Sequence, residues 1–268
     1  MNTHHRPPFL RRRVGRKLRA LREQAGYTLD EAAPILDKTR TSLHRVETGQ
    51  TRADVHLVRS MMDVYDRYDP DLIDLTRKAL KAGWWVSFGV EDMGYTELET
   101  EAVQIREFGG LNIPGLLQTE AYMRALFRVG RRRTTREIDN DVAVRMIRQK
   151  RLTNEDNPLE LVAIVDEAAL RRVVGGTDVM CQQLRHLIKV SGLPTVTLQV
   201  LPLDHGPHDG LTGAFILLTF PEPDDPDMQY IAYPTGALHI EDETEVGRGK
   251  FCSTDCGPRR PTQRTRWS

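Results

Sequence analysis

Between Gly26 and Gly49 the chain has room for two short helices and almost nothing else, and this spacing constrains its first third more than any other feature. Thr28-Leu29-Asp30-Glu31 is a capping box, in which the Thr28 oxygen accepts from the Glu31 amide and the Glu31 carboxylate reaches back, so a helix starts there and reaches about Leu36. A further helix begins at Thr39, whose hydroxyl can cap it, and runs from Arg40 to a stop at Gly49. Only Asp37 and Lys38 separate the two. Pro34 removes an amide donor and crowds the Asp30 carbonyl, at a cost of about 3 kcal/mol in a regular helix, so a kink or early end is predicted.

Other helices flank this pair. Val14, Leu18, Leu21 and Ala25 recur at helical spacing before Gly26, with Arg11, Arg12, Arg13, Arg16, Lys17, Arg19 and Arg22 crowded around the stripe. Val55, Val58, Met62 and Tyr65 mark a fourth helix closing a bundle. Asp69-Pro70 supplies a cap and a first-turn proline for a fifth, with Leu72, Leu75 and Ala79 as its apolar stripe and Gly83 as its end. We read residues 1–68 as one domain, 69–83 as a connector helix, 84–246 as a second domain and 247–268 as a disordered tail.

The helix from Arg40 turns Leu43 and Val46 inward and leaves hydrogen-bonding side chains outside, the shape of a helix-turn-helix. An Arg can bond guanine O6 and N7 together, and Ser or Thr hydroxyls suit base edges and phosphates. The charge distribution agrees. Residues 1–65 hold 13 Lys and Arg against 7 Asp and Glu, while residues 66–268 hold 25 against 31. Only the first part looks built for a polyanion. An ordinary solvated helical bundle is the bland alternative.

Beyond Gly83 the pattern is mixed α and β. Trp84-Trp85 is expected to pack between elements. Tyr95 to Phe108, Thr119 to Val129, Ile138 to about Leu152 and Thr177 to Val190 read as helices. Leu159 to Val165, Thr195 to Val200, Ala214 to Phe220, Met228 to Tyr233 and Ala237 to Glu241 read as strands.

Leu18 to Gly26 followed by Thr39 to Gly49 resembles an Xre-type, phage-repressor-like helix-turn-helix. The resemblance implies an all-α, five-helix, lambda-repressor-like DNA-binding domain. It implies that Arg40, Thr41, His44 and Arg45 face the bases, that Thr28, Thr39, Ser42 and Lys38 meet phosphates, and that Arg22 pairs with Glu47 to tie the third helix to the first. The chain departs from that pattern where Asp37 and Lys38 replace a glycine and an apolar residue, and where Leu29 replaces a phosphate-binding glutamine. The second part resembles the α+β regulatory domain of actinobacterial WhiJ-like, antitoxin-like regulators. The residues carrying that likeness are Ile113 to Tyr122, Asp166 to Arg172, Val174-Gly175-Gly176 and Gln199 to Pro202. The likeness implies a repressor or antitoxin-like role, modulated by a ligand or a small acidic partner protein. The motif class of the head implies a dimer on double-stranded DNA, since paired heads are how short half-sites reach useful affinity. The alternative is an antitoxin-like protein that sequesters a small partner. By the same likeness an amphipathic helix starts at Glu245-Val246, and residues from Lys250 on depart from it in the way a shifted reading frame would.

A search for chemistry yields little. His205, His208 and Asp209 match no standard metal spacing and read as a polar loop; Cys252 and Cys256 alone make a weak metal signal; Gly247-Arg248-Gly249 is too short for a phosphate loop. Asp166 reads as a helix cap beside Glu167 instead of half of an acid and base pair. Neither enzyme activity nor a cofactor or metal is expected. With no run of eighteen apolar residues, a polar N-terminus and three cysteines, the sequence predicts no membrane span or secretory signal and a cytoplasmic address.

Overall fold

The computed structural model describes residues 7–90, 94–129 and 134–255, and the chain divides into two units between Val86 and Ser87. The first is helical throughout: α1 (Phe9–Gln24), α2 (Leu29–Ile35), α3 (Arg40–Glu47), α4 (Val55–Tyr65) and α5 (Pro70–Leu80). Their apolar stripes meet in one core, where Leu18, Leu43, Val58, Met61 and Leu72 are fully buried. Each such side chain contributes about 1.5–3 kcal/mol over leaving it in water. Caps fix the boundaries. The Thr28 capping box forms as expected, Thr39 Oγ1 accepts from the Ser42 amide at 3.1 Å, and Asp54 and Asp69 cap α4 and α5.

The break between α2 and α3 is a Schellman turn. The Lys38 amide bonds the Ala33 carbonyl at 2.9 Å and the Asp37 amide bonds Pro34 at 3.2 Å, with Asp37 left-handed at φ 53°. Pro34 is accommodated because the helix ends one residue after it. The expected connector over 69–83 is corrected in one respect. Its helix is a member of the bundle, packed on α1 and α4, with Ile73 and Thr76 buried beside Leu72. An apolar stripe of that size has to be covered, and the bundle supplies the cover.

The second unit is built on a mixed six-stranded sheet. In chain order it comprises α6 (Tyr95–Glu101), β1 (Gln104–Gly109), α7 (Glu120–Phe127), α8 (Thr135–Gln149), β2 (Glu160–Asp166), α9 (Glu167–Arg171), α10 (Thr177–Val190), β3 (Val196–Leu201), β4 (Phe215–Thr219), β5 (Met228–Tyr233), β6 (Gly236–Ile240) and α11 (Glu243–Asp255). The strand order is β3-β2-β1-β4-β5-β6, parallel from β3 to β1 and antiparallel from β1 to β6. The helix expected over Tyr95 to Phe108 stops at Glu101, and its second half is β1. Leu98, Ala102 and Ile105, all buried, imitate a helical stripe, but β1 finds a hydrogen-bonding neighbour on each side.

The tail expectation is also corrected, up to Asp255. Asp242 Oδ1 accepts from the amides of Thr244 and Glu245 at 3.0 Å and starts α11, whose Val246 is buried with Phe108, Phe215 and Leu217. Residues 256–268, with Cys256, lie outside the described residues. No helix among the described residues is long and apolar enough to cross a membrane.

Candidate nucleic-acid interface

One face of α3 is sealed and the other is open. Leu43, Val46 and Glu47 are buried, whereas Lys38, Thr39, Arg40, Thr41, His44 and Arg45 are exposed and Ser42 is half-buried. All eight residues proposed from the sequence to touch bases or phosphates are therefore placed on the surface or at its margin, Thr28 included. Three of their side chains are already engaged, Thr39 through its cap on the Ser42 amide. Arg40 Nε lies 3.2 Å from Asp30 Oδ1, a pair open to water on both sides and thus cheap to exchange. The Thr28 hydroxyl and amide both donate to Glu31 Oε2 at 2.8 Å, which holds the Glu31 carboxyl below its ordinary range.

The scaffold behind this face is rigid for stated reasons. Arg22 Nε and Nη2 donate to the two oxygens of Glu47 at 2.7 and 2.9 Å, and Nη1 donates to the Tyr27 carbonyl at 2.7 Å. Both side chains are buried, so this bidentate pair fixes α3 against α1. The hydrogen bond to Glu47 is also the first cause of the upward shift of the Arg22 guanidinium. Close packing completes the joint. A Cβ on Gly15 would sit 2.3 Å from the Glu47 carbonyl oxygen, so α1 crosses the end of α3 only because residue 15 has no side chain. Reasoning from sequence missed Gly15; its position beside Val14 on the buried stripe was the available signal.

The basic residues of α1 behave differently from those of α3. Arg12 and Arg13 are buried, with Arg12 Nε donating to the Pro7 carbonyl at 3.0 Å, and exposed Arg19 is paired with Glu23 at 2.7 Å. The positive charge of the head is thus partly spent on its own packing. Arg52, not singled out from sequence, is exposed in the turn after α3, whose Thr51 amide bonds the Arg45 carbonyl at 3.0 Å.

In the second unit the segment Ile113 to Tyr122 is held by side-chain amides. Gln118 Nε2 donates to the Ile113 carbonyl at 2.6 Å, Gln183 Nε2 donates to Leu117 at 2.7 Å, and the Thr119 amide donates to Gln183 Oε1 at 2.6 Å. These residues fix a buried loop. Glu99, fully buried, takes a bidentate bond from Arg148 at 2.6 and 2.5 Å. Asp166 Oδ1 accepts from the Ala168 amide at 2.7 Å and caps α9. The rings of His205 and His208 lie 6.1 Å apart, and no group of three or more potential ligands for a metal ion occurs among the described residues.

Fold and surface together define a helix-turn-helix protein whose second unit is a mixed sheet with helices; residues 13–75 match a helix-turn-helix domain. Residues 93–250 match the family described as Domain of unknown function (DUF5753), and the chain belongs to that family. An HTH-type transcriptional regulatory protein of Pyrococcus horikoshii is 39% identical over 67 residues, which cover 25% of this chain and 21% of that relative. The chain thus matches about a fifth of the relative's length. No solved structure matches.

Proposed function

We propose that the protein is a sequence-specific DNA-binding transcriptional regulator of the Xre type, a repressor that binds as a dimer. In this reading α3 enters the major groove, with Arg40, Thr41, His44 and Arg45 at base edges and Thr28, Lys38, Thr39 and Ser42 at phosphates. The observation that carries it is the row of exposed Arg, Thr and His side chains on a helix whose other face is keyed into the bundle by Arg22, Glu47 and Gly15. The match of residues 13–75 to a helix-turn-helix domain supports the same reading. In it the head is lambda-repressor-like, and the second unit, WhiJ-like, is the part that answers to a partner protein or a ligand. Short half-sites reach useful affinity when two heads are joined, hence the dimer. Some reordering is required, because Arg40 must leave Asp30, and Thr28 must share its hydroxyl with a phosphate.

The test is a fluorescence-anisotropy titration of the full chain on duplex from its own upstream region. Arg40→Ala and Arg45→Ala are each expected to cost roughly 1–3 kcal/mol of specific binding, and Lys38→Ala is expected to lower affinity evenly across sequences and reduce the salt slope by about one. Unchanged binding in both arginine variants would defeat the assignment.

A further inference from the structure

β3 is an edge of the sheet, paired with β2 on one side only. In that parallel ladder the Leu161 amide bonds the Thr195 carbonyl at 2.8 Å, so Thr195, Thr197, Gln199 and Leu201 turn their backbone groups to β2. Val196, Leu198 and Val200 turn theirs outward. The Val196 amide is taken by the Leu193 carbonyl at 3.1 Å. The Val196 carbonyl and both backbone groups of Leu198 and Val200 meet no partner among the described residues. The strand also lacks the usual guards against a further strand, since Val196–Leu201 contains no charged residue and no proline.

The helix above this edge is exposed on the matching side. Right-handed crossovers put α7, α8 and α10 on one face of the sheet, and the packing of α10 on α7 agrees. α11 occupies the other face, against Phe108 and Leu217. The face under α10 is the one to which β2 turns its buried Leu161, Ala163 and Val165, and to which β3, in register with them, turns Val196, Leu198 and Val200. α10 directs Gln183 to the Leu117 carbonyl and the Thr119 amide, and Val179 and Ala125 of α7 both crowd Gly175. Leu184, Ile188 and Cys181 lie about 100–160° round the helix from Gln183. They therefore sit on the flank away from α7, over the β3 edge. Ile188 is 76% exposed there, and Val200 on the strand below is 38% exposed.

We infer that this edge is the homodimer contact: β3 pairs antiparallel with β3 of a second copy about a twofold axis at Leu198, and the Leu184–Ile188 flanks of the two α10 helices meet over the joined sheet. The inference rests on the reading of the protein as a dimer and names its interface. Leu198 exchanges N–H···O bonds with the partner's Leu198, and the Val200 amide donates to the partner's Val196 carbonyl. An axis at Val200 would instead oppose Leu198 to Pro202, which has no amide to give. The helices obey the same axis. The Leu193 amide bonds the Val190 carbonyl at 3.0 Å, and Leu193 in turn accepts from Val196, so the end of α10 adjoins the start of β3. From there Leu198 lies about 6.6 Å along the strand, the rise of about four helical residues, so the axis passes α10 near its residue 186 and sets Leu184 against the partner's Ile188. One twofold serves strand and helix together, which a strand from an unrelated protein would not do. Strand pairing alone buries little, and the helix flanks carry the contact toward the roughly 1,200–2,000 Å² of a stable interface.

Sedimentation equilibrium of the full chain measures the dimer dissociation constant. Val200→Lys and Ile188→Lys alter exposed side chains, so circular dichroism is expected to stay unchanged while each weakens the dimer about tenfold or more, as enclosing an unpaired charge would. Leu238→Lys, on the opposite edge strand β6, is expected to leave the dimer as it is. A cross-link locates the axis. With Cys181, Cys252 and Cys256 replaced by serine, Leu198→Cys brings together two Cα atoms about 5.5 Å apart, within disulfide range, and is expected to give a covalent dimer under mild oxidation. Leu238→Cys is expected to give none. A monomeric parent, a dimer that both lysine variants leave intact, or cross-linking at residue 238 in place of 198 would overturn the interface. The same samples are titrated with operator duplex. A parent that dimerises without binding DNA counts against the reading of the head alone, whereas a DNA-binding dimer that resists both lysines keeps the dimeric regulator and removes this contact from it.

Discussion

Gly15 and Glu47 touch backbone to backbone: a methyl group on residue 15 would fall 2.3 Å from the Glu47 carbonyl oxygen and 2.7 Å from its carbon. Neither helix can yield without disturbing the other, since the Glu47 side chain is simultaneously held by Arg22. Gly15→Ala is therefore expected to destabilise the head by about 2–3 kcal/mol. Gly26, at φ 80° with open space around its Cβ position, provides the contrast. Gly26→Ala meets only left-handed backbone strain, about 1 kcal/mol. Urea denaturation followed by helical circular dichroism ranks the two.

Removing one partner of the Arg22–Glu47 pair leaves the other charge buried. Glu47→Gln and Arg22→Met are each expected to cost about 3–5 kcal/mol, and the double variant less than the sum of the two. A double-mutant cycle on unfolding free energies measures the difference. Strict additivity would show that the pair contributes no coupling.

Asp37 occupies a conformation that favours glycine, at φ 53°. Asp37→Gly is expected to stabilise the head by about 0.5–1 kcal/mol, and the β-branched Asp37→Val to destabilise it by at least as much. Thermal melts of the two variants would move in opposite directions.

Glu107 is expected to make stability depend on pH in the sense opposite to a salt-bridged carboxylate. Its native value is about 7 against an ordinary 4.5, so between those limits the native state keeps a proton that the unfolded chain has released. Stability then falls as pH rises through this window and levels off above it. Glu107→Gln should remove the slope, gaining roughly 1–3 kcal/mol on the parent at pH 8 compared with pH 5. Parallel slopes for parent and variant would show that other groups carry the dependence.

What could be read from the sequence was whatever is encoded locally. The capping box at Thr28, the cap at Thr39, the helix Thr177–Val190 and the strand positions from residue 159 onward depend on neighbours in the chain, and the structure has them there. The pairing of Arg22 with Glu47 was accessible through the resemblance of the two segments. β1 was not, because Leu98, Ala102 and Ile105 fit a helical period and only β2 and β4, distant in sequence, settle the matter. The same holds for Glu99 and Arg148, forty-nine residues apart, and for the burial of Arg12 and Arg13, whose charge counts equally in a composition whether or not it reaches water. The exchangeable pair of Arg40 with Asp30 and the crossing at Gly15 are likewise products of packing.

The place of α5 inside the bundle bears on how a message could travel along the chain. A helix whose Leu72 is fully enclosed cannot serve as a slack tether. Any force or twist applied to the polypeptide just past Leu80 is delivered to the interior of the head itself, and cutting the chain at residue 68 would remove part of that interior instead of freeing an autonomous reader.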